Sequence, residues 1–157
     1  MRRLARGIAA LAGTIAATQL LPVGHAQAAG VDLGTKGSLV AGVAAAQSDQ
    51  VVAFQFTVTN HSSSRAEVFI TFAVTGAGSA SAYICPTVGS RLDIDTDGDT
   101  CEPGFLAGGS STSVAALVRV TGVSGQQVSV RVCASSDSTA GDPNPGNDCK
   151  GLRLPVA

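Results

Sequence analysis

The sequence predicts an all-β chain folded as one antiparallel sandwich or small barrel of about seven short strands. Three observations lead there. Apolar residues alternate with polar ones along successive segments, the period of two that a strand with one buried face requires. Clusters of Gly, Ser, Asn and Pro separate those segments at short intervals and supply the turns. No segment carries the 3.6-residue apolar repeat of a helix.

Met1–Ala28 stands outside this pattern. Arg2, Arg3 and Arg6 give a basic start, Ile8–Val23 is apolar, and His25-Ala26-Gln27-Ala28 ends in the small-x-small pattern that signal peptidases cut after. Thr14, Thr18, Gln19 and Pro22 interrupt the apolar stretch, which makes it poor material for a permanent span of about twenty residues. The expectation is a removed signal peptide over 1–28 and a secreted domain over 29–157, in the periplasm, on the cell surface or outside the cell. No membrane span is expected in that mature part. Its length allows one ordinary core that buries roughly two thirds of the unfolded surface. Without the three leader arginines the formal charge moves from −1 to −4. Lys36, Arg65, Arg91, Arg119, Arg131, Lys150 and Arg153 are scattered, so the clustered cations that nucleic acid demands are missing.

Val31-Asp32-Leu33-Gly34 and then Gly37–Val43 read as an entry strand with a break. Val51–Asn60 is the strongest strand: Val52, Phe54, Phe56 and Val58 share one face, Gln55, Thr57 and Thr59 the other. Asn60–Ser64 is a turn rich in residues that bond their own backbone. Ala66–Val74 follows, with Ala66, Val68, Ile70, Phe72 and Val74 inward and Phe69 pointing the other way. Gly76–Ala80 reads as a small-residue connection, Ala82–Cys85 as a short strand and Pro86–Thr100 as a polar loop that ends at Cys101–Leu106. Ser113–Thr121 and Gln127–Cys133 alternate again, through Val114, Ala116, Val118, Val120 and Val128, Val130, Val132. Ser135–Asp148 is a second polar loop before the closing strand Cys149–Val156.

All four cysteines lie in the mature part, and export makes disulfides their expected state. Three connectivities are open. Sequential pairing, Cys85–Cys101 and Cys133–Cys149, is the expected one, because each segment reads as two strand ends flanking a turn-rich loop. A four-thiolate zinc site usually shows cysteines two to four residues apart, and this chain has no such pair.

The order of motifs resembles the Ig-like modules of bacterial surface proteins, of the conserved-repeat and cell-adhesion-related (CARDB-like) type. The matching pieces are Val31-Asp32-Leu33, then Phe56-Thr57-Val58-Thr59-Asn60 with its Ser-rich turn, and Cys85…Cys101. Leu106-Ala107-Gly108-Gly109 and Asp142-Pro143-Asn144-Pro145-Gly146-Asn147 complete the set. The resemblance implies an Ig-like sandwich in an extracellular protein that serves as a spacer, adhesion or assembly module. Members usually occur as repeats or beside other domains; here there is one copy.

Asp93-Ile94-Asp95-Thr96-Asp97-Gly98-Asp99 is the stretch most suggestive of chemistry. Carboxylates at every second position and a Gly at the bend suit calcium, making Asp93, Asp95, Asp97 and Asp99 the candidate ligands. Two departures count against it: Gly104 stands where a complete loop of this type places its bidentate Glu, and Thr100 where it places an apolar residue. The other reading is a solvated Asp-Gly turn at the tip of a disulfide-closed hairpin. His61, the one histidine of the mature part, lies in a turn with no strained nucleophile motif, so catalysis is not expected. Asn60-His61-Ser62 fits a glycosylation acceptor, read here as a plain turn. Phe69 and Phe105 are the aromatic residues whose exposure bears on binding. The expected function is a non-catalytic Ig-like binding or structural module in adhesion or envelope assembly, with an unidentified protein or envelope partner. The alternative is a secreted ligand-binding or inhibitor protein acting through the acidic loop 86–100.

Overall fold

The computed structural model describes residues 30–39, 44–86, 92–93, 100–138 and 141–157, with backbone alone for 86, 92, 93, 102 and 103. The expected leader over 1–28 lies outside these residues. The described chain is all-β: two antiparallel sheets pack face to face as a sandwich. One has five strands in the order β1-β2-β7-β4-β5, the other four in the order β6-β3-β8-β9. The strands are β1 Leu33–Leu39, β2 Val51–Asn60, β3 Ala66–Gly76, β4 Gly78–Pro86, β5 Leu92–Asp93, β6 Thr100–Leu106, β7 Ser111–Val120, β8 Gln127–Ser135 and β9 Cys149–Pro155.

The period of two places the core as the sequence implies. Phe54, Phe56 and Val58 of β2, Val68 and Ile70 of β3, Val118 and Val120 of β7, and Val128, Val130 and Val132 of β8 are all fully buried between the sheets. β2 lies inside its sheet, paired with β1 on one side and β7 on the other, which is why its pattern is the clearest in the chain. Val74, expected in the core, is only partly buried where β3 nears its end.

Three expectations change. The entry strand has no break: β1 runs continuously from Leu33↔Asn60 to Leu39↔Phe54. Thr35 is buried within it, because its hydroxyl finds an acceptor in the Asp148 carbonyl (2.7 Å). The Gly76–Ala80 connection is largely strand. The chain crosses from β3 to the opposite sheet within Gly76 and Ala77, and β4 starts pairing at Gly78↔Val120. Gly76 permits that crossing with φ +79°, and a Cβ there would strike the Gln127 carbonyl. Cys101–Leu106 is itself a strand, β6, joined to β3 across a register shift between Val68 and Ile70.

Both expected cysteine pairs stand at disulfide distance, but they join different things. Cys85 of β4 and Cys101 of β6, with Cα atoms 6.1 Å apart, tie the two sheets together. Beside them Phe72 of β3 stacks on Tyr83 of β4, ring centroids 4.5 Å apart. Cys133 and Cys149, with Cα atoms 4.1 Å apart, face each other in adjacent strands of one sheet. The neighbouring pair, Ala134 and Asp148, carries the ladder hydrogen bond, so the cysteines occupy a non-hydrogen-bonded position, where strands approach most closely.

Candidate functional site

Two regions outside the core carry polar chemistry. The first is a groove of about 430 Å³ on the outer face of the five-stranded sheet. Its floor follows from register. Lys36, Thr57 and Ser113 form one row across β1, β2 and β7, and Ser38, Gln55, Ala115 and Ile84 form the next, reaching β4. Strand alternation turns these residues outward while Phe56 and Val114 face the core. Small side chains at Ser113 and Ala115, between the longer Lys36, Gln55 and Ile84, hollow the surface. Hydroxyls from Ser38, Thr57 and Ser113 and the Gln55 amide donate and accept hydrogen bonds, and Lys36 adds one positive charge. Among the described residues Lys36 is the single ionisable residue of the lining, and the hydroxyl and amide groups around it offer recognition chemistry.

The second region is one end of the sandwich, where the lead-in to β1, the turn after β2 and loop 141–148 meet. The loop is built by local bonds: the Asp142 carboxylate accepts from the Asn144 amide (2.6 Å), and the Asn147 amide donates to the Asn144 carbonyl (3.1 Å). It docks on β1 through Leu33 N–H to Asp142 Oδ2 (3.0 Å), Thr35 N–H to the Asn147 carbonyl (2.9 Å) and Asn147 Nδ2 to Asp32 Oδ1 (3.0 Å). A Cβ on Gly34 would meet the exposed His61 imidazole at 2.6 Å and displace that side chain. Asn147 Oδ1 and Asp148 Oδ1 are buried without a hydrogen-bond partner. Burial first, then the charge of Asp142 and a hydrogen bond with it, then the charge of Asp32, push the Asp148 carboxyl up from 3.8 to about 6.

Sequence alone does not mark these residues as a site. Val31-Asp32-Leu33 and Asp142–Asn147 appear in the sequence as separate turn and strand-edge motifs, and only the fold joins them across 109 positions. The expected calcium ligands fare differently: Asp95, Asp97 and Asp99 lie outside the described residues, and Asp93 is described only by its backbone pairing with Cys85. Among the described residues no group of three or more His, Cys, Asp or Glu side chains is arranged to hold a metal ion. His61 is exposed, and its N–H donates to the Asp32 carbonyl (2.7 Å). Asn60 is fully buried. Its amide donates to the Ser64 and Leu106 carbonyls and accepts from Ser62, which makes it the anchor of its turn and leaves no reachable nitrogen for a glycan. Phe69 is half-buried. Phe105 is exposed, with the Arg65 guanidinium 4.1 Å above its ring.

No protein-family model matches the chain, and no curated protein matches it either. Solved structures do. The crystal structure of the CARDB domain of the PF1109 protein from Pyrococcus furiosus, in complex with di-metal ions, superposes with a TM-score of 0.55 at 9% identity. The match covers 82% of this chain and 90% of that one. The fold is CARDB-like. The solution structure of the same Pyrococcus domain agrees, with a TM-score of 0.53 at 9% identity over 82% of this chain and 97% of that one. AvmM, which catalyses macrocyclisation in alchivemycin A biosynthesis, matches with a TM-score of 0.51 at 10% identity, covering 79% of this chain and 89% of that one. At such identities the likeness concerns the CARDB-like sandwich alone, and one architecture serves both a binding domain and an enzyme.

Proposed function

We propose that this protein is an exported, non-catalytic Ig-like module that acts by binding, in adhesion or envelope assembly, through the outer groove of its five-stranded sheet. The observation that carries this reading is the lining of that groove: hydroxyl, amide and small side chains from β1, β2 and β7 beside Ile84 of β4, with Lys36 as the one ionisable group among the described residues. Rigid strands hold the donors and acceptors at fixed spacing, which favours recognition of an extended polar surface. The CARDB-like sandwich and the disulfide-distance cysteine pairs are compatible with an extracellular setting.

The test is co-sedimentation of the oxidised chain 29–157 with envelope fractions of the producing cell. Thr57→Arg with Ser113→Arg fills the groove from two adjacent strands and leaves the core untouched. Saturable binding by the unaltered chain is expected to weaken by about tenfold or more in the double variant, with the melting point unchanged. Undiminished binding by the folded double variant would remove the groove as the contact surface.

A further inference from the structure

Free hydrogen-bonding capacity distinguishes the outer groove from the sheet around it. In the row beside it, Thr59 and Ser111 face each other across β2 and β7 and satisfy one another, Oγ1 to Oγ 2.8 Å. One row further in, Thr57 and Ser113 stand opposite each other without such a bond. Among the described residues no protein group partners the side chains of Lys36, Ser38 or Gln55 either. Strands about 4.8 Å apart, with like-facing residues about 7 Å apart along each, set these groups on a fixed grid. Charge is sorted as well. Lys36 and Arg119 are exposed on this outer face, and no described side chain on it is acidic. The described carboxylates lie elsewhere: Asp32, Asp49, Asp137, Asp142 and Asp148 outside the strands, and Glu67 in the other sheet. The described aromatic rings of the five-stranded sheet, Phe54, Phe56 and Tyr83, are all buried.

We propose that the groove binds a carboxylate-bearing saccharide, its acid group on the Lys36 ammonium and its hydroxyls on Ser38, Gln55, Thr57 and Ser113. This occupant presupposes that the groove is the contact surface, as proposed above. Saccharide hydroxyls both donate and accept, and so do the three protein hydroxyls and the amide that face them. Hydrogen bonds exchanged against water contribute little each, so a neutral sugar needs an exposed ring to stack on. Among the described residues this face offers none. A carboxylate supplies the missing strength through a charge-assisted bond to Lys36, roughly twice as strong as a neutral one. No described acidic side chain on the face repels it. An extended peptide fits less well, because its main chain pairs at a sheet edge, whereas the groove lies on a sheet face.

The test is titration of the oxidised chain 29–157, followed by amide chemical shifts, with trigalacturonate, trimannuronate and a hyaluronan tetrasaccharide. Two kinds of control probe separate the chemistries. The methyl esters of these saccharides keep the hydroxyls and lose the charge, and tetraglutamate keeps the charge and lacks the hydroxyls. At least one acidic saccharide is expected to bind saturably and to shift the Gln55, Thr57 and Ser113 amides. Its methyl ester and tetraglutamate are expected to bind about tenfold more weakly or worse. Lys36→Gln is expected to weaken the acidic saccharide by about tenfold and bring it level with its ester, while Arg153→Gln on the other sheet changes nothing. Thr57→Val with Ser113→Ala, which removes two hydroxyls at nearly constant shape, weakens acid and ester alike. No saturable binding by any of the three saccharides would overturn the proposal. So would equal binding of the ester or of tetraglutamate, or an equal loss in Arg153→Gln. If envelope fractions nonetheless bind the chain and Thr57→Arg with Ser113→Arg weakens that binding, the groove stands as the contact surface and only its saccharide occupant is overturned.

Discussion

The two cysteine pairs close loops of the same sequence separation, 16, yet they do unlike work. Cys85 and Cys101 are buried and span the two sheets next to the Phe72–Tyr83 stack, so they clamp the sandwich through its core. Cys133 and Cys149 are partly exposed and join β8 to the edge strand β9, next to the residue that ends the carboxylate loop. Chain entropy alone would assign both about 3 kcal/mol. The difference comes from what surrounds them. One bridge is part of a packed interior, and the other fastens an edge strand at the rim of the sandwich.

The largest expected effect tests that contrast directly. Cys85→Ala with Cys101→Ala is expected to lower stability in urea by about 4 kcal/mol, against about 3 kcal/mol for Cys133→Ala with Cys149→Ala, because the first pair also loses buried packing. Equal losses would mean that loop closure alone matters. Next comes Asn60→Ala, expected to cost about 2 kcal/mol by the same measurement, since it strands the Leu106 carbonyl inside the clamped region. Under a mild dithiol reductant, mass spectrometry of alkylated samples is expected to find Cys133 and Cys149 opened before Cys85 and Cys101, as thiolate attack needs access. Simultaneous opening would erase the distinction between the pairs. The smallest effect is a rise of a few degrees in the melting point of Asp148→Asn at pH 7.5, vanishing near pH 4.

The fold was legible wherever a strand packs large side chains on one face. Val52, Phe54, Phe56 and Val58 announce β2, and all four are buried. β4 was half hidden, because Gly78-Ser79-Ala80-Ser81 pairs through its backbone while presenting no large apolar side chain to read. β6 reads in the sequence as the end of a loop, since Glu102, Pro103 and Gly104 break alternation, and β5 is only two residues long. Among the described residues nine strands therefore stand where about seven are expected. The groove was invisible for a different reason: its residues are the polar, outward half of strands recognised by their inward half. Register between β1, β2 and β7 assembles them, and register is a property of pairing that no single segment encodes. The Asp32, Asp142 and Asp148 constellation is more remote still, brought together by Leu33 meeting Asp142 from 109 positions away in the sequence.

The most direct test of the binding account is photo-crosslinking from two positions in the same protein. A photoreactive residue replaces Gln55 at the centre of the groove, or Thr96 in the acidic loop, and the oxidised chain 29–157 is irradiated with envelope fractions of the producing cell. The account predicts a discrete adduct from position 55 that Thr57→Arg with Ser113→Arg abolishes, and none from position 96. Adducts from position 96 with none from position 55 would contradict it, and would move recognition from the sheet face to loop 86–100.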